Sequence, residues 1–279
     1  MGSIVLNIQK PDPVPTSPPL VLIFGPFDPS GSSNLPADAV TCAQLGGHAL
    51  SVLTGMHVQD TAGIEEIHSV APEFVDDQAR CLLEDMAVGA MKAGSLYTIE
   101  SISAVAQIVA DYSPVPLVLH LGALPDDDLL ADDHDAEELI GSICELILPQ
   151  TDLVIADHNL IAHWIDHGLL DDRGAPSIAH ALLEYHAKWA LVTGTPLRPR
   201  HHYYQLLGPD NETFNWPFQP APERVIGTES ALSCAVTLEL ARGRAMAQAV
   251  ELAIGQVQAM AGNAFQPGMG YRLVGHWPS

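Results

Sequence analysis

Short apolar runs that alternate with longer amphipathic stretches restrict the fold of this chain more than any other feature. The runs have the length of buried strands, and the stretches between them have the length and periodicity of helices. We predict strands at Val21–Phe24, Ala49–Thr54, Val88–Met91, Leu117–His120, Leu153–Ala156 and Ala190–Thr193. We predict helices at Ala37–Leu45, Pro72–Leu83, Ile99–Tyr112, Ala136–Leu148, Leu160–His167, Ala175–His186, Ser230–Ala241 and Ala245–Met260. This alternation predicts an α/β fold of three layers, with helices covering both faces of a mostly parallel central sheet.

The length of 279 residues fits one α/β domain better than two. We therefore predict a single domain over residues 20–279, preceded by a flexible arm over residues 1–19. The arm is rich in proline and has no apolar segment of the kind found in signal peptides. No apolar run approaches the ~18 residues of a membrane span, so we expect no membrane partner.

The charge balance argues against a nucleic-acid partner. Only 11 basic residues face 34 acidic ones, for a net charge of −23, whereas phosphate backbones are bound by Lys and Arg. We interpret the acidic runs as a solvated surface.

The cysteines, Cys42, Cys81, Cys144 and Cys234, show no C-x-x-C spacing and lie in apolar, helical-looking stretches. We predict that they are buried free thiols of a cytoplasmic protein.

Two polar segments follow the first two predicted strands. Residues 24–31 read FGPFDPSG, and residues 54–61 read TGMHVQDT. On its own the first would be an ordinary strand-to-helix loop, and it lacks the Gly-Lys-Ser/Thr ending of a P-loop. Parallel sheets, however, bind ligands beyond the carboxyl ends of their strands. The helix carboxylate of Asp38 and the loop amide of Gln59 would meet in one such crevice, where they could read the edge of a heterocycle.

These segments resemble the hydroxymethylpyrimidine and phosphomethylpyrimidine kinases of thiamin synthesis, which belong to the ribokinase-like superfamily. The resemblance covers roughly residues 20–260. It rests on an ordered set of motifs, DPSG at 28–31, AD at 37–38, AQLG at 43–46, VQDT at 58–61, MKAGSL at 91–96 and LVTG at 191–194.

The resemblance implies a ribokinase-like fold and a homodimer. It also implies ATP-dependent, Mg²⁺-assisted phosphorylation of 4-amino-5-hydroxymethyl-2-methylpyrimidine, followed by a second phosphorylation of the monophosphate. Carried over to this sequence, Asp38 and Gln59 would hold the pyrimidine and Gly25 would line the same pocket. Ser95 stands where the family has Met, so one wall of the pocket would be smaller and more polar. The residues that would contact the nucleotide are Thr193 and Gly194.

The motif for phosphoryl transfer is altered. The family has G-T/S-G-C/D at a helix start, where free amides hold the phosphate and the Cys or Asp takes the substrate's proton. Here Gly227 and Thr228 match, but Glu229 replaces the second glycine and Ser230 replaces the proton acceptor. A carboxylate within about 4 Å of a phosphate oxygen opposes binding by about 4 kcal/mol at an effective dielectric constant near 20. Glu229 is also a poor substitute base, because it points about 100° away around the helix.

The family's acidic residues on the metal-binding side are altered as well. The family's acidic residue after the fourth predicted strand is replaced by His120, and the Glu of its T-P-N-x-x-E segment has no match. Asp157 is the remaining candidate for holding a metal ion. His163 and His167 could share one helix face, but without a third ligand we interpret them as solvated. Residues 201–204 read HHYY and are interpreted as a strand edge or a lid.

Three functions remain open. The first is an active pyrimidine kinase, as the resemblance implies. The second is a non-catalytic relative that binds a pyrimidine as a sensor or partner subunit, which Glu229 and Ser230 favour. The third is a kinase of another vitamer such as pyridoxal, which Ser95 favours. We predict a kinase-like protein with weak or absent turnover.

Overall fold

The computed structural model describes residues 17–125, 129, 135–199, 201–218 and 225–276. Most of the predicted arm, residues 1–16, lies outside the described residues. The main strands are β1 Leu20–Phe27, β2 His48–Gln59, β3 Ile64–Ser69, β4 Ala90–Ala93, β5 Leu117–Leu121, β6 Leu153–Asp157, β7 Trp189–Arg198, β8 His201–Leu207 and β9 Thr213–Phe218. Two short strands, β10 Val225–Ile226 and β11 Arg272–Leu273, pair in parallel in a separate ribbon.

The helices alternate with these strands along the chain. They are α1 Asn34–Gln44, α2 Pro72–Asp85, α3 Ile99–Asp111, α4 Ala136–Ser142, α5 His158–Asp166, α6 Ile178–Leu183, α7 Thr228–Ala241 and α8 Met246–Gly262. Several begin at a side-chain cap, since Thr98, Asp135, Asp157 and Ser177 each accept a hydrogen bond from an amide of the first turn. Helix α2 instead begins with Pro72, whose missing N–H is not needed there.

The strands of the large sheet lie in the order β3-β2-β1-β4-β5-β6-β7-β8-β9. All pairs from β2 to β7 are parallel, whereas β3, β8 and β9 run antiparallel to their neighbours. Helices α1, α7 and α8 pack on one face of the sheet, and α2 to α6 pack on the other. The predicted three-layer α/β fold with a mostly parallel sheet is therefore confirmed.

The segment predicted as a loop after the second strand is part of β2. It runs to Gln59 and pairs with β3, which the sequence did not predict. Its alternation is inverted, since Met56 and Val58 are exposed while His57 between them is buried. Strand prediction expects apolar residues on the buried face, so this pattern hides the strand.

Two helix predictions were too long. The predicted helix Ala136–Leu148 ends as α4 at Ser142 and continues as a π-helical turn, Ile143–Ile147. The predicted helix Ala175–His186 shortens to α6, because Ser177 caps its start. His186, beyond its end, has a positive φ of 71° that a helix does not accept.

Residues 201–204 do not lie in an edge strand, and the alternative of a lid stays a prediction. They belong to β8, which is paired with β7 on one side and with β9 on the other, so β9 is the edge strand.

The prediction for the cysteines needs one correction as well, because Cys81 is exposed on α2. Within the described residues, no helix has both the length and the apolar character of a membrane span.

Candidate active site

The loop from β1 to α1 is organised by the carboxylate of Asp28, which is fully buried. This carboxylate accepts bonds from the backbone amides and hydroxyls of Ser30, Ser32 and Ser33, over distances of 2.6 to 3.3 Å. A short polar loop thereby satisfies a buried charge locally. The DPSG motif begins with an aspartate because this turn is built around it.

The start of α7 lies directly against this loop. Gly227 precedes the helix with a φ of 88°, and a Cβ atom there would stand 2.1 Å from the Ser32 carbonyl oxygen. Only glycine fits both the backbone angle and the contact. Asn34 of α1 adds a second link, since its backbone N–H donates to the Ser230 hydroxyl at 3.2 Å. The predicted catalytic segment 227–230 and the predicted substrate loop are thus adjacent.

Asp38 is held in a buried ion pair. Its carboxylate is 2% exposed and lies 2.5 Å from the ammonium nitrogen of Lys92, a β4 residue that is 1% exposed. The Ser230 hydroxyl donates to the other Asp38 oxygen at 2.9 Å. The predicted pyrimidine ligand Asp38 and the predicted base Ser230 are therefore in direct contact, with each other and with Lys92.

The hydrogen-bonding capacity of the Ser230 hydroxyl is filled by the protein. A serine hydroxyl has one hydrogen and two lone pairs. Its hydrogen goes to Asp38, and its oxygen accepts from Lys92 Nζ and from the Asn34 amide, both at 3.2 Å. In this arrangement the Ser230 oxygen has no lone pair left to receive a proton from a substrate hydroxyl.

Glu229 turns away from this cluster, as the helical spacing predicts. Its Oε1 accepts from the Thr193 hydroxyl at 2.7 Å, and its Oε2 lies 3.7 Å from His120 Nε2. That distance is too long for a direct hydrogen bond, so His120 acts on the carboxylate through its charge when protonated. Burial raises the pKa of Glu229, but His120 and the Thr193 hydroxyl more than offset this and leave the pKa below its usual value. The carboxylate is consequently charged at neutral pH.

Asp157 caps α5 rather than pointing freely into the crevice. Its Oδ1 accepts from the amides of Asn159 and Leu160 at 2.9 and 3.1 Å. A Cβ atom on Gly194, which has a φ of 68°, would stand 3.3 Å from its Oδ2. Burial, followed by the charge of Glu229, raises the pKa of Asp157. Among the described residues, no group of three or more His, Cys, Asp or Glu side chains is placed to hold a metal ion.

The remaining predicted pyrimidine ligands line the β1 to β4 side. Gln59, at the end of β2, is half-buried and contacts Ser32 and His57. Gly25 is buried in β1, where an added Cβ atom would stand 3.7 Å from the Leu35 side chain. Ser95 borders a cavity of about 20 Å³ that it shares with His120 and Gly122. That volume holds about one water molecule, so this cavity does not admit a pyrimidine ring.

Lys92 is a residue of the candidate site, in contact with Asp38 and Ser230, that the sequence analysis missed. It was part of the MKAGSL motif but received no role, although an ionisable residue inside a buried apolar strand needs a buried partner. His57 was missed because its strand was taken for a loop. His120 was noticed only as the loss of an acid, although it lies beside Glu229.

The residues of this site provide only some of the contacts that ATP and Mg²⁺ would need. Thr193 and Gly194 lie at the carboxyl end of the sheet, as a nucleotide site needs, but the Thr193 hydroxyl is committed to Glu229. Glu229 is the acidic residue in the first turn of α7, and its carboxylate lies beside His120 and Thr193.

Comparison with known proteins identifies the family. The model of the phosphomethylpyrimidine kinase family matches residues 28–275. A hydroxymethylpyrimidine/phosphomethylpyrimidine kinase of Streptomyces coelicolor is 28% identical over 264 residues, which cover 94% of this chain and 96% of that protein.

Solved structures share the fold. An ADP complex of Bacillus subtilis pyridoxal kinase superimposes with a TM-score of 0.76 at 17% identity, covering 93% of this chain and 98% of that one. A phosphomethylpyrimidine kinase of Clostridium difficile gives 0.68 at 20% identity, covering 86% and 98%. These structures show the ribokinase-like fold, and the family model that matches residues 28–275 shows that this chain belongs to the phosphomethylpyrimidine kinase family.

Proposed function

We propose that the chain binds a pyrimidine of thiamin biosynthesis in the crevice beside Gln59, and that its phosphoryl transfer from ATP is weak or absent. The observation that carries this proposal is the Glu229 carboxylate at the start of α7, bonded to Thr193 and lying beside His120. A transferred phosphoryl group develops negative charge and needs donors or cations at this point. A fixed carboxylate acts in the opposite direction.

The state of the proton acceptor supports the same proposal. Ser230 occupies the position of the family's Cys or Asp, and its hydroxyl makes three hydrogen bonds within the protein. A general base must be free to bond the proton that it removes. Ser230 would have to lose a bond to Lys92 or Asn34 before it could do so.

Among the described residues, the Gln59 side chain on the pyrimidine side keeps free hydrogen-bonding capacity. The Gln59 side-chain amide has two hydrogens on its nitrogen and two lone pairs on its oxygen. One hydrogen is used by Ser32 and one lone pair faces His57, so one of each remains for a ligand. This favours a pyrimidine-binding member of the family over one that has lost both of its ligands.

The proposal predicts binding without rapid turnover. Calorimetry with 4-amino-5-hydroxymethyl-2-methylpyrimidine should give a binding isotherm, and the product assay with ATP and Mg²⁺ should stay below about 1 s⁻¹, the low end of ordinary enzymes. Pyridoxal should be tested in parallel, because the sequence also left open a kinase of another vitamer. Turnover above that rate on either substrate would contradict the weak-transfer proposal, and absence of pyrimidine binding would contradict the ligand.

We also propose that the chain is a homodimer. Phe27 and Met56 are paired neighbours on β1 and β2, Val58 follows on the same face, and all three side chains are 44 to 49% exposed. A second copy would cover this apolar face, whereas the net charge of −23 opposes association. Light scattering should therefore show a dimer that strengthens with salt and is lost in Met56→Lys with Val58→Lys. A monomer at every salt concentration would refute it.

A further inference from the structure

A chain of hydrogen bonds runs through the proposed pyrimidine site. The Tyr97 hydroxyl lies 2.9 Å from His57 Nε2, and His57 Nδ1 lies 2.8 Å from Gln59 Oε1. Gln59 Nε2 lies 3.2 Å from the Ser32 hydroxyl, which lies 2.6 Å from Asp28 Oδ2. Four consecutive contacts thus connect a buried tyrosine on one side to a buried carboxylate on the other.

The direction of this chain is set at its Asp28 end. A carboxylate can only accept, so the Ser32 hydroxyl donates to Asp28 and its oxygen is left to accept from Gln59 Nε2. The amide oxygen of Gln59 must then face His57, which donates from Nδ1. His57 Nε2 carries no hydrogen in this arrangement and accepts from Tyr97.

The surroundings of His57 agree with a neutral imidazole. The ring is 6% exposed, and burial, only partly offset by Gln59 and the charge of Asp28, lowers the pKa of His57. The neutral ring has one N–H, as the chain requires. Tyr97 also keeps its proton, because burial raises its pKa to about 12.

Reversing the amide would break the strongest link. Gln59 would then present its oxygen to Ser32, and the Ser32 hydrogen would have to turn from Asp28 to Gln59. Asp28 would lose its 2.6 Å bond in a place where it is fully buried. Buried polar groups that lose a partner are costly, so the chain resists reversal as a unit.

We propose that Asp28, Ser32 and His57 lock the Gln59 amide in one orientation, and that this lock makes the site select a 4-aminopyrimidine over its 4-oxo counterpart. The inference deepens the proposed function and rests on it. The free N–H and the free lone pair of Gln59 are adjacent on one planar group. They match a ring nitrogen beside an exocyclic amine, as a glutamine matches adenine. When the ring keeps the same orientation in the crevice, the 4-oxo ring presents N–H beside C=O, the opposite pattern, which only a reversed amide would match.

Ser32, Ser33 and His57 allow the lock to be tested. Calorimetry compares 4-amino-5-hydroxymethyl-2-methylpyrimidine with its 4-oxo counterpart. The unaltered chain should prefer the amino ligand by about tenfold or more, the usual discrimination of a two-bond amide contact. Ser32→Ala, which disconnects Gln59 from Asp28, should reduce that preference by about fivefold. Ser33→Ala is the matched control, because Ser33 also contacts Asp28, at 3.3 Å, but makes no bond to Gln59 in the described contacts.

A second readout does not depend on a ligand. Nitrogen-15 NMR of labelled histidine should show His57 as the Nδ1–H tautomer in the unaltered chain. The Nε2–H tautomer, or equal affinity for both pyrimidines, would overturn the lock while leaving pyrimidine binding in place. Binding of neither pyrimidine would overturn the proposed function and the selectivity with it, and the tautomer would still decide the orientation of the amide.

Discussion

Lys92→Met is expected to lower the free energy of unfolding by about 3–5 kcal/mol, the usual effect of removing one partner of a buried ion pair. The Lys92 ammonium donates to Asp38 Oδ2, to the Ser230 hydroxyl and to the Ser230 carbonyl oxygen. All three of its hydrogens are therefore used inside the protein. Without them, the Asp38 carboxylate is left at 2% exposure with Ser230 as its remaining side-chain donor.

Two further variants distinguish the effect of an unpaired buried charge on stability from the effect of losing any lysine. In Lys92→Met with Asp38→Leu both charges are gone, and most of the lost stability should return, because apolar residues of similar volume can replace a buried pair. Lys188→Met breaks a surface pair of similar length, 2.7 Å to Asp152, in which Lys188 is 64% exposed. It should cost at most about 1 kcal/mol. Urea unfolding gives all three values, and a loss of under about 1 kcal/mol for Lys92→Met would show that the pair does not stabilise the fold.

The ion pair also bears on the predicted role of Asp38. The resemblance assigns this carboxylate to the pyrimidine, and that assignment stays a prediction. In the structure the carboxylate is covered and bonded to Lys92 and Ser230. Because the carboxylate is 2% exposed, a ligand could reach it only if the residues that cover it moved, whereas Gln59 is half-buried and keeps bonding capacity in the described contacts. We therefore expect Gln59 to contribute more to pyrimidine binding.

The sequence predicted the layers of the fold because its regular elements are strongly periodic. Strands β1, β5 and β6 are buried along nearly their whole length, which a continuous apolar run indicates directly. Strand β2 beyond Thr54 was missed because exposed Met56 and Val58 and buried His57 invert the usual pattern. Strand β9 was missed because its mixed residues resemble a loop, and β8 was recognised only as a strand edge or a lid over residues 201–204.

Only those features of the site that depend on spacing within one helix could be predicted from the sequence. One residue of separation on a helix predicts that Glu229 and Ser230 point in different directions, and their partners indeed differ. That Ser230 meets Asp38, 192 positions away, depends on how α1 packs against α7. A single sequence contains no signal for such a contact, and the filled hydroxyl of Ser230 was therefore not foreseen.

Glu229→Gly combined with Ser230→Cys is expected to raise the affinity for ATP with Mg²⁺ by about tenfold or more and to increase turnover. A phosphate oxygen about 4 Å from the carboxylate is opposed by about 4 kcal/mol at an effective dielectric constant near 20. The Glu229 side chain is 33% exposed, so solvent reduces this figure, and a tenfold gain corresponds to about 1.4 kcal/mol. Cysteine would also restore a proton acceptor of the family's type, because a thiol ionises far more readily than a hydroxyl.

Single variants assign the gain to its causes. Glu229→Gln keeps the size of the side chain and its bond to Thr193 but removes the charge, so it should recover much of the affinity. Ser230→Cys alone should change turnover more than nucleotide affinity. Because the pKa of Glu229 lies below its usual value, the carboxylate stays charged at neutral pH, and the gain from removing it should shrink as salt screens the charge. Calorimetry with a non-hydrolysable ATP analogue at low and high salt measures both effects. Unchanged affinity in Glu229→Gln and in the double variant would mean that the carboxylate is not the obstacle to phosphate.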